Sequence, residues 1–239
     1  MDDQLLAHLR RRVCEAQASE GVGTVGGKEL VQAWGRRSPA TVLISACLVG
    51  HKVSWRAAAA KSRPPLTLLR RVVELHPTLF RVAPVCPEIV FGSPRPPIRM
   101  VGHRVQTKQG DDVTERLLDS CHSLLRVSGG TLCVSLDGGA WVPIDGFVLK
   151  RRSPSCALID GRIYSDGANT DTFTEASGVF ARHILRAGNE TSEWTLRGAP
   201  PMTDERFSAR PIAASTVSDS VANFCGAVLM RKVERDRVQ

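Results

Sequence analysis

Residues 41–47, Thr-Val-Leu-Ile-Ser-Ala-Cys, form a short run that is almost continuously apolar and rich in branched side chains. Without an alternation of apolar and polar positions, such a run predicts a strand buried on both faces, as in a parallel sheet. Phe80 to Cys86 predicts a second strand, although Pro84 weakens it or marks its end. Between them, Leu66, Leu69, Val72 and Val73 fall near helical spacing and predict a helix over 65–74. Asp111 or Asp112 is placed to cap a further helix through Leu117, Leu118, Cys121, Leu124 and Leu125. Thr131–Val134 and Phe147–Lys150 read as strands, and 177–185 as a helix buried through Val179, Phe180, Ile184 and Leu185. The apolar stretch 221–230 suits either a helix or an edge strand. Strand and helix texture alternate, which predicts an α/β architecture, a parallel sheet with helices on both faces.

The flanks have a different texture. Leu5, Leu6, Leu9 and Val13 give residues 1–18 an amphipathic helical pattern, capped by Asp2 or Asp3, and a glycine-rich stretch follows. Residues 1–40 are therefore expected as an N-terminal helical extension, 41–188 as the α/β domain, and 189–239 as a C-terminal extension. Residues 92–110, rich in Pro and Gly, predict a long loop, and 159–171 is polar and turn-rich. Gly21, Gly23 and Gly26 match the dinucleotide-binding fingerprint in form only. No strand precedes them and no acid ends a strand at the required distance, so they read as a linker.

Composition narrows the class. A chain of 239 residues with 42% hydrophobic side chains can bury a full core, but with only 5% aromatics that core rests on Val, Leu, Ile and Ala. The net charge of +8 makes a polyanion such as tRNA a candidate partner, yet the cations occur in short scattered groups. Seven cysteines without a CxxC pair fit neither a disulfide framework nor a zinc ribbon and indicate a reducing compartment, the cytoplasm. No apolar run is long enough to span a membrane, so no membrane association is expected.

Cys47, Cys86 and Cys156 stand apart from the other four cysteines, because each follows a strand-like run and opens a loop. Parallel strands deliver their carboxyl ends to one edge of the sheet, so three thiols distant in sequence can meet there. Soft thiolates at such a point suit an iron–sulfur cluster, zinc or copper. The alternative for each is a small, buried apolar residue, the role expected for Cys14, Cys121, Cys133 and Cys225.

The segments around these cysteines stand in a distinctive order: Ser45-Ala46-Cys47-Leu48-Val49-Gly50, then Pro84-Val85-Cys86-Pro87-Glu88 with Arg95-Pro96-Pro97, and finally Lys150 with Ser153-Pro154-Ser155-Cys156. A Gly110-Asp111-Asp112-Val113-Thr114-Glu115 segment lies between the second and third cysteines. Over roughly 41–185 this set resembles the TudS-type thiouracil desulfurases. The resemblance implies a Rossmann-type domain holding a 4Fe-4S cluster through Cys47, Cys86 and Cys156, with one iron free of protein ligands. It further implies a redox-neutral desulfuration in which the open iron captures sulfur from a thiolated base or nucleoside and water oxygen replaces it.

Within that reading, Glu88 is a candidate to protonate the leaving group or activate water, against the alternative of a surface or helix-capping glutamate. Ser153 and Ser155 are candidate catalytic residues at the third ligand, or serve only to shape the turn at Pro154. Lys150 and Arg95 are candidate substrate contacts, Lys150 being otherwise a solvated charge. The chain also departs from the resemblance. Val53-Ser54-Trp55-Arg56-Ala57 stands where a Tyr-Asp-Gly-like segment is expected, and Ala157-Leu158-Ile159-Asp160 replaces a Gly-Ser stretch. These changes predict a different thiolated substrate or reduced activity. A non-enzymatic protein that uses the three cysteines for zinc or for packing is the competing expectation.

Overall fold

The computed structural model describes residues 38–54, 63–92, 95–136, 139–166, 171–208 and 216–236, together with Ala7. Nearly all of the expected N-terminal extension, including the glycine-rich stretch and Cys14, lies outside the described residues.

The first apolar run forms β1 (Ala40–Ser45), all six residues of which are buried. A 3-10 turn, Ala46–Val49, follows and carries Cys47, and Gly50 closes it in the left-handed region at φ +102°. Helix α1 (Pro64–Leu75) starts on two prolines, tolerated because first-turn N–H groups have no intrahelical acceptor. The next strand, β2 (Phe80–Val85), ends just before Cys86. It pairs in parallel with β1 from Ala40 opposite Phe80 to Ser45 opposite Val85, so the two strands finish level. Pro84 is exposed within β2, an edge strand, where a missing N–H on the free side costs no ladder bond.

The stretch 92–110, expected as a loop, contains a hairpin of β3 (Ile98–Val101) and β4 (Arg104–Thr107). Its strands are too short for periodicity to register, and Met100 and Val105 provide its buried side. Helix α2 (Thr114–Leu124) stops one residue earlier than its apolar pattern suggests, because Leu125 turns into β5 (Leu125–Ser128). Asp112 Oδ1 accepts from the Thr114 N–H at 3.0 Å, anchoring the start of α2. An antiparallel meander continues through β6 (Thr131–Ser135) and β7 (Trp141–Pro143). Strand β8 (Gly146–Leu149) then pairs in parallel with the other side of β1. The turn-rich region 159–171 supplies β9 (Gly161–Tyr164), which pairs with β10 (Phe173–Ala176). Helices α3 (Val179–Asn189) and α4 (Ser192–Arg197), strand β11 (Met202–Asp204) and helix α5 (Val217–Asp236) complete the described chain.

The central sheet has the order β11-β8-β1-β2, and all its described pairings are parallel. Ala40, Val42 and Ile44 face a core with Leu66, Leu69 and Val72 of α1 and Phe224, Cys225 and Val228 of α5. Leu43, Phe147 and Leu149 face the opposite core, with Leu117 and Cys121 of α2 and Phe180 and Ile184 of α3. Helices cover both faces, which is why β1 has no polar side.

Part of the expected C-terminal extension is built into this core, with β11 as the fourth strand and α5 as a covering helix. The stretch 221–230 is thus helical. Its helix ends in a buried Arg235 paired with Asp145, whose other oxygen accepts the Thr41 N–H at 2.8 Å. The chain steps from β1 to β2 on one side and returns to β8 on the other. This reversal opens a crevice at the carboxyl ends of β1 and β8, the usual ligand position in such sheets.

Candidate metal centre and active site

Each of the three predicted cysteines reaches this crevice from its own element. Cys47 sits in the turn after β1, Cys86 directly follows β2, and Cys156 lies seven residues beyond the end of β8. A cavity of about 290 Å³ is lined by all three, together with Ser45, Val53, Ser54, Glu88, Arg95, Ser153, Pro154 and the Lys150–Arg152 run. Seven of the eight residues expected at the site therefore share one wall. The eighth, Ser155, is fully buried behind it, and its Oγ meets no hydrogen-bond partner among the described residues.

Burial dominates the chemistry of the thiols. It raises Cys47 to about 11, with the charge of Cys86 adding and that of Lys150 opposing. It likewise raises Cys86 to about 11, helped by Glu88 and opposed by the main-chain N–H groups of Glu88 and Ile89. Burial, then the charges of Glu88, Cys86 and Cys47, push Cys156 well above the ordinary thiol value, against a hydrogen bond from Ser45. The three groups thus lie within one another's fields. A cation that neutralises them would remove both the burial cost and their repulsion.

Glu88 is itself buried, held by two partners from separate elements. Arg95 forms an ion pair with its Oε2, and Ser153 Oγ donates to its Oε1 at 3.3 Å. The Arg95 guanidinium is set by the Val53 carbonyl at 3.2 Å. Ser153 Oγ also accepts from the N–H groups of Ser155 (3.2 Å) and Cys156 (3.0 Å), which fixes the turn bearing the third cysteine. Lys150 is not a solvated charge: its Nζ donates to Glu205 Oε1 at 2.8 Å and to the Arg151 carbonyl at 3.1 Å.

The loop from Lys150 to Cys156 is further held by groups that its own sequence does not reveal. Asp160 accepts from Arg151 Nε (2.8 Å) and from the N–H of Arg152 (3.0 Å), a residue in the left-handed region at φ +52°. The first N–H groups of α3 donate to the carbonyls of Pro154 and Ser155 at 2.9–3.1 Å. This close approach requires Gly178, because a Cβ there would collide with the Ser155 carbonyl. Gly178 carries no local signal beyond its residue type, and Asp160 stands out in the sequence only within the segment that replaces a Gly-Ser stretch.

The family model for 2-thiouracil desulfurase matches residues 42–193. The chain belongs to the 2-thiouracil desulfurase family. It is accordingly an enzyme of desulfuration, which sets aside the expectation of a purely structural role for the three thiols. No curated protein matches the chain. A solved structure, that of the 4Fe-4S-dependent thiouracil desulfidase TudS, is 24% identical, covers 71% of this chain and 91% of its own, and superposes with a TM-score of 0.43.

The three thiols that line one cavity are soft donors of the kind that suit an iron–sulfur cluster. Among the described residues, no three His, Cys, Asp or Glu side chains converge tightly enough to share one ion. The six described cysteines are all free thiols. Among the described residues no helix is long and apolar enough to cross a membrane.

Proposed function

We propose that this desulfurase acts on a thiolated pyrimidine, of thiouracil or thiouridine type, with a 4Fe-4S cluster held by Cys47, Cys86 and Cys156. The observation that carries the reading is the shared cavity, which three thiols from the segments after three parallel strands line together with a buried carboxylate. When bound there, a cluster with one iron lacking a protein ligand supplies a Lewis acid for the departing sulfur. The net exchange, C=S and water giving C=O and hydrogen sulfide, is redox-neutral and leaves the chain with proton transfer and orientation to perform.

Glu88 is the group suited to the proton. Its carboxylate is aimed by Arg95 and Ser153 and can take a proton from the entering water and return it to the leaving sulfur. Ser153 serves as its relay and as the turn former, while Ser155 joins the turn through its main-chain N–H and carbonyl. We assign the substrate's oxygen and ring nitrogen to Arg95 and Lys150, which line the cavity and are each paired with a carboxylate. That pairing argues for a small base or nucleoside over tRNA. Arg95, Lys150 and Arg151 already have internal acid partners, so they offer phosphates little free charge. Free thiols and a cluster of this kind suit a reducing cytoplasm.

Anaerobic iron and sulfide reconstitution, followed by a sulfide-release assay on thiopyrimidines, tests the reading. Broad visible absorbance with sulfide release is the expected result. A chain that stays colourless and takes up stoichiometric zinc in place of iron overturns it.

A further inference from the structure

Glu205 lies beyond residues 42–193, the segment that the family model matches, yet it reaches the loop that carries Cys156. Strand β11 pairs in parallel with β8 so that Asp204 stands opposite Leu149. The next residue on each strand is therefore level at the same carboxyl edge, which brings Glu205 alongside Lys150. Its carboxylate is buried and divided between two donors, with Oε1 accepting from Lys150 Nζ at 2.8 Å and Oε2 from the Arg151 N–H at 2.7 Å.

The segment carrying Glu205 is fixed on its other side too. Asp204 Oδ1 accepts the Arg206 N–H at 2.8 Å, and buried Phe207 packs edge-on against Phe224 of α5 with ring centroids 5.4 Å apart.

We propose that Glu205 is a positioning residue for the desulfurase site, clamping the start of the Lys150–Cys156 loop from strand β11's carboxyl end. The purpose of the clamp rests on the proposed function, but its existence does not. By holding the main chain at Arg151 it limits where Cys156 can travel, and by holding Lys150 it fixes the cation that lines the cavity. The carboxylate does both at once because the strand register presents it between the two donors.

The test uses the full-length metal-free protein. A maleimide pulse followed by peptide mass spectrometry reads the reactivity of each thiol separately. Glu205→Ala should speed Cys156 modification by about tenfold or more, the consequence of removing charge-assisted hydrogen bonds from a local opening. Cys121 and Cys225, buried in the two cores, should keep their wild-type rates. Glu205→Gln should fall between, because its amide oxygen can still accept the Arg151 N–H. Wild-type reactivity of Cys156 in Glu205→Ala overturns the proposal, and so does an equal acceleration of Cys121 and Cys225, which would mark general loosening. Because the readout needs no iron, failure of the wild-type chain to load a cluster would count against the proposed function and leave this comparison decisive.

Discussion

Ser153 donates its hydroxyl to Glu88 Oε1 at 3.3 Å across 65 residues of sequence, joining the turn after β2 to the loop after β8. The same Ser153 oxygen accepts from the Cys156 N–H, so one side chain orients both the carboxylate and the third thiol. The acid is thereby tied to the cysteine framework, and its position depends on that framework being folded.

Glu88→Gln keeps the size of the side chain and removes the proton acceptor. Sulfide release should fall by about 10²–10⁴-fold, the usual contribution of a positioned acid or base. Iron content after anaerobic loading should stay at the wild-type level. Loss of iron along with activity would assign Glu88 to the framework and remove it from the chemistry.

Serine in place of Cys47, Cys86 or Cys156 should each abolish the visible absorbance of the reconstituted protein and its activity. Cys225→Ala, in the core against α1 and β1, should leave both intact. Iron quantitation across the four variants checks the ligand set. Full iron loading in any of the three serine variants removes that residue from it.

Gly178→Ala places a methyl group against the main-chain carbonyl of Ser155, so backbone has to move. The expected cost is about 1–3 kcal/mol, as for overpacking elsewhere. Because the displaced atoms belong to the third-cysteine loop, iron retention should fall with stability. Urea unfolding and a chelator challenge measure the two effects, and an unchanged pair of values would refute the close-approach argument.

His183 on α3 stands edge-on to His122 of α2, with ring centroids 4.7 Å apart. Burial, then the charges of His122 and Arg186, lower its pKa, while Glu190 opposes them. A folded-state pKa below the ordinary value of about 6.5 means that the unfolded chain binds the proton more readily. The stability this position contributes is therefore present above about pH 6.5 and is lost as the pH falls toward the lowered value. The urea midpoint should drop between about pH 7.5 and about pH 5.5, and His183→Gln should lessen the drop. An identical acid slope in the variant would assign the effect elsewhere.

Much of this was legible in the chain itself. The continuous apolar run at β1 announced a strand covered on both faces, because a parallel sheet leaves no solvent side along which polar residues could alternate. The spacing of Leu66, Leu69 and Val72 marked α1, and cysteines placed after strand-like runs pointed to one edge of a sheet. The hairpin of β3 and β4 was hidden because strands of four residues among prolines and glycines carry too little periodicity to read.

Other features belong to the tertiary structure alone. Glu205 meets Lys150 only because β11 adds to β8 in one particular register. Gly178 matters only because α3 docks against the carbonyls of Pro154 and Ser155. Sequence determined which groups stand at the ends of strands, since local pattern sets the strands. Their distances, burial and partners come from how sheet and helices pack, and long-range contacts of that kind leave no local trace.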